Sequence, residues 1–233
     1  MYEYSNQRSV AEATSYERAT FIKKTYNHLG FAILAFIIIE AILLNLPFTK
    51  DIVKMMLGGQ YSFLIILAAF MFISYIAESW ARSNTSRNMQ YLGLMLYVVA
   101  EAIIFLPLLY IAAYYASDPN LIAKAGIVTL GLFTAITFVA FFTKTDFSFL
   151  RGILIFASFV AMGTIISSII FGFALGSLFA ALMVLFAGGC ILYDTSNIIH
   201  HYKTDQYVAA SLSLFASVAL MFWYILRLFM SRD

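Results

Sequence analysis

The sequence predicts an all-α polytopic membrane protein that crosses the bilayer seven times and leaves no room for a soluble domain. The first observation is composition: 63% of the 233 residues are hydrophobic and 11% are charged, with a mean hydropathy of +0.89. Soluble domains carry about 25% charged residues. The second is segment length, because seven apolar stretches reach the roughly 20 residues that a helix needs to cross the hydrocarbon core. The third is that turn-forming residues separate these stretches.

The seven predicted spans form one transmembrane domain over residues 26–230. In chain order they are residues 26–46, 61–81, 91–115, 121–142, 150–171, 175–199 and 207–230. The fifth and sixth spans are separated only by residues 172–176, so this turn must be tight and uncharged. Small residues such as Gly126 and Gly131 are predicted to let neighbouring helices approach closely.

Residues 1–25 mix acidic and basic side chains, which fits neither a secretory signal nor a mitochondrial transit peptide. We expect a short cytosolic segment. Nine of the 14 Lys and Arg residues lie on the side of the N-terminus when the spans alternate, and five lie on the other side. The positive-inside rule then places Met1 in the cytosol and Asp233 on the opposite face.

Several function classes are disfavoured. A net charge of +2 does not favour a nucleic-acid partner, and a single cysteine excludes an internal disulfide. His200 and His201 point about 100° apart on a helix, so with His28 they make a poor metal site. The sequence carries no nucleophile elbow or phosphate-binding loop. We therefore expect no enzyme, no cofactor and no catalytic metal.

Two acids lie inside predicted spans, where a charged side chain costs roughly 3 kcal/mol on insertion scales and usually serves a function. Asp194 lies one to two turns from the cytosolic end of the sixth span. Glu101 lies ten residues into the third span, near the bilayer midplane. On a helix Asp194 shares a face with Ala187, Cys190, Asn197 and His201. We expect Asp194, and with it Glu101, to bind protons or cations; the alternative is that each acid is only hydrogen-bonded or reaches interfacial water.

Polar residues on other spans complement these acids. Glu78 and Arg82 are one turn apart at the end of the second span, where they can pair. Glu40, in the outer half of the first span, is a weaker candidate. The seventh span carries a stripe of residues at helical spacing, namely Gln206, Ala210, Ser213, Ser217, Tyr224 and Arg227. Such a face either holds helices together or lines a hydrated path.

Several stretches resemble the bacterial branch of the Bax inhibitor-1 family. They read ILYDTSNIIHHY, DQYVAASLSLF, WYILRLF, YVVAEAIIFLPLLY and DFSFLRGIL, and the resemblance covers nearly the whole chain. It implies seven helices with the last one wrapped by the other six. It also implies a pH-sensitive cation leak, typically for calcium, in the bacterial cytoplasmic membrane. In that family two aspartates on the last two helices share a proton beside an arginine latch.

The resemblance assigns the first of these aspartates to Asp194, whereas counting back from Arg227 puts Ser217 at the second. The aspartate dyad is therefore broken, which favours a proton or monovalent cation over calcium. Arg82 rather than Arg87 is predicted to act as the latch, paired with Glu78. The predicted function is a pH-modulated calcium or proton leak; the alternative is an interaction protein that modulates other membrane proteins, such as a quality-control protease.

Overall fold

The computed structural model describes residues 9–59, 61–83, 86–143 and 145–231, and these residues form eight helices. They are α1 Ser15–Leu44, α2 Thr49–Leu57, α3 Ser62–Ala81, α4 Arg87–Tyr114, α5 Leu121–Thr143, α6 Leu150–Phe171, α7 Ser177–His200 and α8 Tyr207–Met230. All except α2 are long and apolar enough to cross a membrane. The all-α, seven-span architecture is confirmed, and the predicted ends of the fifth and seventh spans coincide with those of α6 and α8.

The first helix begins at Ser15, well before the predicted start at residue 26. A capping box fixes this start, because Thr14 Oγ1 accepts a hydrogen bond from Glu17 N at 3.3 Å and Glu17 accepts one from Thr14 N at 2.9 Å. The Thr-x-x-Glu signal is present in the sequence. The predicted start lies later because residues 15–25 carry charged side chains, which are not typical of a membrane span. Residues 1–8 and Asp233 lie outside the described residues, and the cytosolic location of residues 1–25 stays a prediction.

Helix α2 lies where the sequence predicted only a break between two spans. Its nine residues cover about 14 Å, too short to cross a bilayer. Val53 and Met56 are buried, and Lys50 and Lys54 are exposed. The helix is therefore amphipathic, with an apolar face against the bundle, where α2 packs on α3 and α4.

Helix α8 lies at the centre of the bundle. It packs against α1, α3, α4, α5 and α7, and 72% of its apolar window is buried inside the protein. The corresponding share is 67% for α4 and between 6% and 28% for the other spans. Helix α6 packs on α7 at the edge of the bundle. The prediction that the last helix is central is confirmed.

A close helix approach occurs at Gly93 of α4, where an added Cβ would lie 2.4 Å from the carbonyl oxygen of Ala77 on α3. The prediction for Gly126 and Gly131 was wrong. A Cβ built at either position meets no atom within 4 Å, because both glycines lie on a part of α5 that no neighbouring helix covers. Gly172 ends α6 with a φ of 71°, which explains the tight turn into α7.

One end of the bundle gathers four parts of the chain, and we call it the basic end. The backbone before α1 pairs with that of Tyr202, between α7 and α8. Arg87, at the start of α4, donates to the carbonyl oxygen of Asp205 at 2.7 Å. Asp146, between α5 and α6, lies 3.0 Å from His201. The segments that the positive-inside count assigned to one side of the membrane therefore do meet at one end of the protein.

Candidate functional site

The structure brings together the two positions at which the family dyad was sought. The Ser217 hydroxyl on α8 donates a hydrogen bond of 2.6 Å to Asp194 Oδ2 on α7. Ser217 is buried, and Asp194 is half-buried. This contact arises because each residue lies on the face of its helix that turns toward the other helix. A hydroxyl at 217 can donate to a charged Asp194, whereas a second carboxylate would have to share a proton with it.

Asp194 and Ser217 line a cavity with a volume of about 920 Å³. Of the residues predicted to share a face with Asp194, Cys190, Asn197 and His201 border this cavity, whereas Ala187 is buried in the bundle and does not. Three members of the predicted α8 stripe border it as well: Gln206, Ser213 and Ser217. The two polar faces therefore form opposite walls of a space that reaches the basic end of the bundle.

An ion pair lies on the α3 side of this cavity. Arg82 Nη2 is 2.8 Å from Glu78 Oε1, and about half of each side chain is exposed. The pairing predicted for Arg82 is present, and both residues interact electrostatically with Asp194. Arg87 instead lies over the ring of Tyr207, 4.7 Å from its centroid. That the Arg82–Glu78 pair acts as a latch stays a prediction.

Tyr202 is a cavity residue that the sequence did not single out. Its hydroxyl lies 3.1 Å from Ser213 Oγ, and burial raises the pKa of Tyr202 to about 12. The tyrosine therefore remains protonated at neutral pH and available as a donor within the polar cavity. No signal in the sequence identifies it, because Tyr202 lies in the connection after α7 and reaches the cavity only through the path of that loop.

Glu101 lies in a second cavity of about 460 Å³. It is buried on α4 and accepts a hydrogen bond from Tyr97, one turn earlier on the same helix. Glu101 is therefore held by Tyr97 rather than by Asp194. The two cavities are nevertheless neighbours, because Cys190 and Ser217 line both of them.

A third cavity, of about 310 Å³, lies next to the other two. Glu78 and Ser213 line it together with the first cavity, and Tyr97 lines it together with the second. Ala216 borders all three. The sequence placed Ser213 and Ser217 on one face of α8. Ala216 is three residues after Ser213, a step that also keeps residues on one helix face, so it could have been added to the stripe.

The remaining candidates lie elsewhere. Glu40 is buried on α1 and lines none of these three cavities, and neither of its carboxylate oxygens has a hydrogen-bond partner among the described residues. His28 Nε2 lies 3.3 Å from the Tyr91 hydroxyl. Within the described part of the chain, no three His, Cys, Asp or Glu residues converge on a point where a metal ion could bind.

These features define a class of protein: a multi-pass α-helical membrane protein with a carboxylate–hydroxyl pair on the wall of an internal cavity. The chain belongs to the Bax inhibitor-1 family, whose model, described as inhibitor of apoptosis-promoting Bax1, matches residues 18–233. The proteins of this family are non-enzymatic membrane proteins.

Relatives occur in bacteria and eukaryotes. An uncharacterized protein of Pseudomonas aeruginosa, PA2604, is 27% identical over 98% of this chain and 97% of its own length. Bax inhibitor 1 of Schizosaccharomyces pombe is 34% identical over 47% of this chain, and the match covers 42% of that protein. The modulator of FtsH protease YccA of Escherichia coli is 36% identical over 39% of this chain and 42% of its own length.

Proposed function

We propose that this chain is a pH-modulated pathway for protons or small cations across the bacterial cytoplasmic membrane, with Asp194 as the binding group. The observation that carries the proposal is the position of Asp194 on the wall of a cavity at the basic end, with two further cavities next to it deeper in the bundle. An ionisable group at this depth is costly and is usually retained for a function. The proposed orientation has Met1 in the cytosol.

Protonation of Asp194 would change its contacts. A charged carboxylate accepts the Ser217 hydrogen bond and attracts Arg82, whereas a protonated one becomes a donor and loses that attraction. Other titratable groups that border the same cavity are Glu78, Arg151, Cys190, Tyr193, His201 and Tyr202. The state of Asp194 would therefore alter how firmly α3 is held to α7 and α8 at the basic end, which supplies a physical basis for control by pH.

The donor set suits a proton or a monovalent cation. Calcium takes six to eight oxygen ligands, usually with several carboxylates. The wall beside Asp194 offers the hydroxyls of Ser217 and Ser213, while Glu78 is engaged with Arg82. We therefore place calcium behind protons and monovalent cations as the transported species.

Ion flux in proteoliposomes tests the proposal. We expect flux through the Asp194→Asn variant to lose its pH dependence. Flux is measured between about pH 5 and 8, the range in which pH-sensing side chains of proteins change charge. The matched control is Glu40→Gln, which neutralises another buried membrane acid away from the three cavities. A parent protein that conducts neither protons nor cations, or an Asp194→Asn variant with an unchanged pH profile, would refute the proposal.

A second candidate function is supported by the relative named as a modulator of FtsH protease. This chain would then act by binding a membrane protease rather than by moving ions. Co-reconstitution with the protease of the same bacterium separates the two functions. A change in the rate of substrate degradation by a chain that carries no flux would favour modulation.

A further inference from the structure

The second cavity lies between α3 and α6, at a place where these helices leave a gap. Helix α3 packs on α2, α4 and α8, whereas α6 packs on α7. They are also the two least buried spans, with 6% and 11% of their apolar windows inside the protein. Because both helices cross the membrane and face outward with apolar side chains, the medium beside this gap is the hydrocarbon of the bilayer.

The lining of this cavity is mostly apolar, apart from a few hydroxyl groups and two ionisable side chains. Phe63 and Phe70 of α3 and Ala161 and Ile165 of α6 form its sides, and Trp223 of α8 forms part of its inner wall. The inner polar group is Glu101, which is already bonded to Tyr97. An apolar space of about 460 Å³ has the size and character of a site for a small hydrophobic ligand.

The second polar group is Arg227, in the last turn of α8. Among the described residues, the guanidinium of Arg227 makes one hydrogen bond, and it is a long one, 3.4 Å from Nη2 to the carbonyl oxygen of Leu175. A guanidinium has five N–H donors in a fork that matches phosphate oxygens. Arg227 therefore retains donors for an anionic group at the end of the cavity.

We propose that this cavity holds one acyl chain of a bilayer phospholipid whose phosphate binds Arg227. An acyl chain carries no polar atoms that would lose hydrogen bonds in an apolar space, and it reaches the gap from the membrane without crossing water. The positive charge of Arg227 fixes the orientation of the lipid, because it attracts the phosphate to this end of the cavity. A helix of another protein, about 10 to 12 Å wide, would have to separate α3 from α6 to enter.

A bound acyl chain would also affect the neighbouring cavity, because Ser158 and Cys190 line both spaces. The chain would close the route below Asp194 by filling it with hydrocarbon. This consequence rests on the proposed function. The lipid site itself does not, so its test is made without any measurement of flux.

Trp223 provides a reporter inside the cavity. The chain has two tryptophans, so Trp80→Phe leaves Trp223 alone. The full-length variant is reconstituted in phosphatidylcholine vesicles whose acyl chains carry bromine, which quenches tryptophan fluorescence, either near the glycerol or near the chain end. Trp223 lies one helical turn from Arg227. We therefore expect quenching that is stronger for bromine near the glycerol.

Filling the cavity distinguishes bound lipid from bulk lipid. In the same background we expect Ala161→Phe to remove most of the quenching, and Val160→Phe to leave it unchanged because Val160 is 53% exposed on the outer face of α6. Arg227→Gln should remove the preference for bromine near the glycerol, while Lys54→Gln, an exposed cation of α2, should not. If Ala161→Phe fails to fold, Ile165→Phe narrows the same cavity.

Three results would overturn the proposal. One is equal quenching in the Ala161→Phe and Val160→Phe proteins, which would mean that lipid reaches Trp223 by another route. Another is the absence of quenching, which would mean that the cavity excludes lipid. The third is quenching that disappears as the protein-to-lipid ratio rises, which would assign the gap to a second copy of this chain.

Discussion

At the scale of single residues, the contact between Asp194 and Ser217 decides what the site can bind. A serine supplies one hydroxyl and no charge, so Asp194 titrates without a carboxylate partner at 217. A second acid there would share a proton with it and would add oxygens for a divalent cation. In the proposed function, one side chain would therefore separate a site for protons or monovalent ions from one suited to calcium.

Ser217→Asp should convert the site. We expect two proton-linked steps in place of one, because like charges at this distance cannot both ionise easily, and we expect tighter calcium binding. Calcium binding and flux across pH in liposomes measure both effects. Ser231→Asp, which adds the same charge at an exposed position after α8 that lines none of the three cavities, is the control. If the parent already binds calcium tightly and Ser217→Asp changes nothing, position 217 is not at the site.

Arg82 and Arg87 also differ at this scale. Because Arg82 acts on Asp194 while Arg87 lies over Tyr207, we expect Arg82→Gln to shift the pH profile of flux. Arg87→Gln should leave that profile in place. The opposite pattern in a proteoliposome assay would remove Arg82 from the latch.

At the scale of helices, packing depends on where backbones meet. Helices α3 and α4 touch at Gly93, where a Cβ would lie 2.4 Å from Ala77 O and 2.5 Å from Ala81 N. Both atoms belong to the backbone, so they cannot move aside as a flexible side chain would. The two helices can therefore lie this close only because the side chain at position 93 is a hydrogen atom and not a methyl group.

Gly93→Ala should lower stability by about 1 to 3 kcal/mol, the usual cost of overpacking. Thermal denaturation in detergent measures the change. Gly131→Ala on α5 serves as the control, since its new methyl group meets no atom within 4 Å, and it should leave the melting temperature unchanged or raise it. Equal destabilisation by both substitutions would show that the contact at Gly93 does not set the helix spacing.

The connection between α5 and α6 is held to the end of α7 by Asp146. Its carboxylate accepts hydrogen bonds from Ser148 N at 2.9 Å and from His201 Nε2 at 3.0 Å. The Ser148 bond, followed by the His201 bond, lowers the pKa of Asp146 from 3.8 to about 2. The charged form therefore stabilises the fold above pH 3.8, and this stabilisation is lost as the pH falls through about 2.

Asp146→Asn should abolish the part of the folding stability that depends on the charge of Asp146. This part is worth about 1 kcal/mol or less, because the Asp146–His201 pair is partly exposed. Melting temperatures measured in detergent between pH 3.8 and about 2 would then vary less in the variant than in the parent. His201→Gln should keep most of the dependence, since the Ser148 bond is the larger cause. A parent whose stability is flat over this interval would contradict the assignment.

At the scale of the whole molecule, the odd number of candidate spans predicts that the two ends of the chain lie on opposite sides of the membrane. The basic end combines the segment before α1 with the connections after α3, α5 and α7. Because cytoplasmic connections carry the excess of Lys and Arg, the basic end is expected to face the cytosol.

Reporter fusions at the two termini test this orientation. A cytosol-active reporter should work at the N-terminus and fail at the C-terminus, and an export-dependent reporter should give the reverse. Fusions after α4 and after α5 provide internal controls, since these connections lie on opposite sides. Two termini on the same side would contradict the seven-span arrangement itself.

Local signals in the sequence determined the number and the order of the spans, because hydropathy and helical spacing require no knowledge of neighbouring helices. The same spacing placed Asp194 with Asn197 and His201, and Ser213 with Ser217, on single faces that the fold turns toward one cavity. The early start of α1 was also within reach, since the capping box at Thr14 is a local signal.

Only the tertiary structure decided which faces meet. Glu101 bonds Tyr97, Tyr202 enters the polar cavity, and the close helix contact falls at Gly93 rather than at Gly126. Each outcome depends on the rotation and depth of one helix against another. In a chain whose surface and interior are both apolar, the pattern of hydrophobic residues does not distinguish a face covered by protein from one covered by lipid.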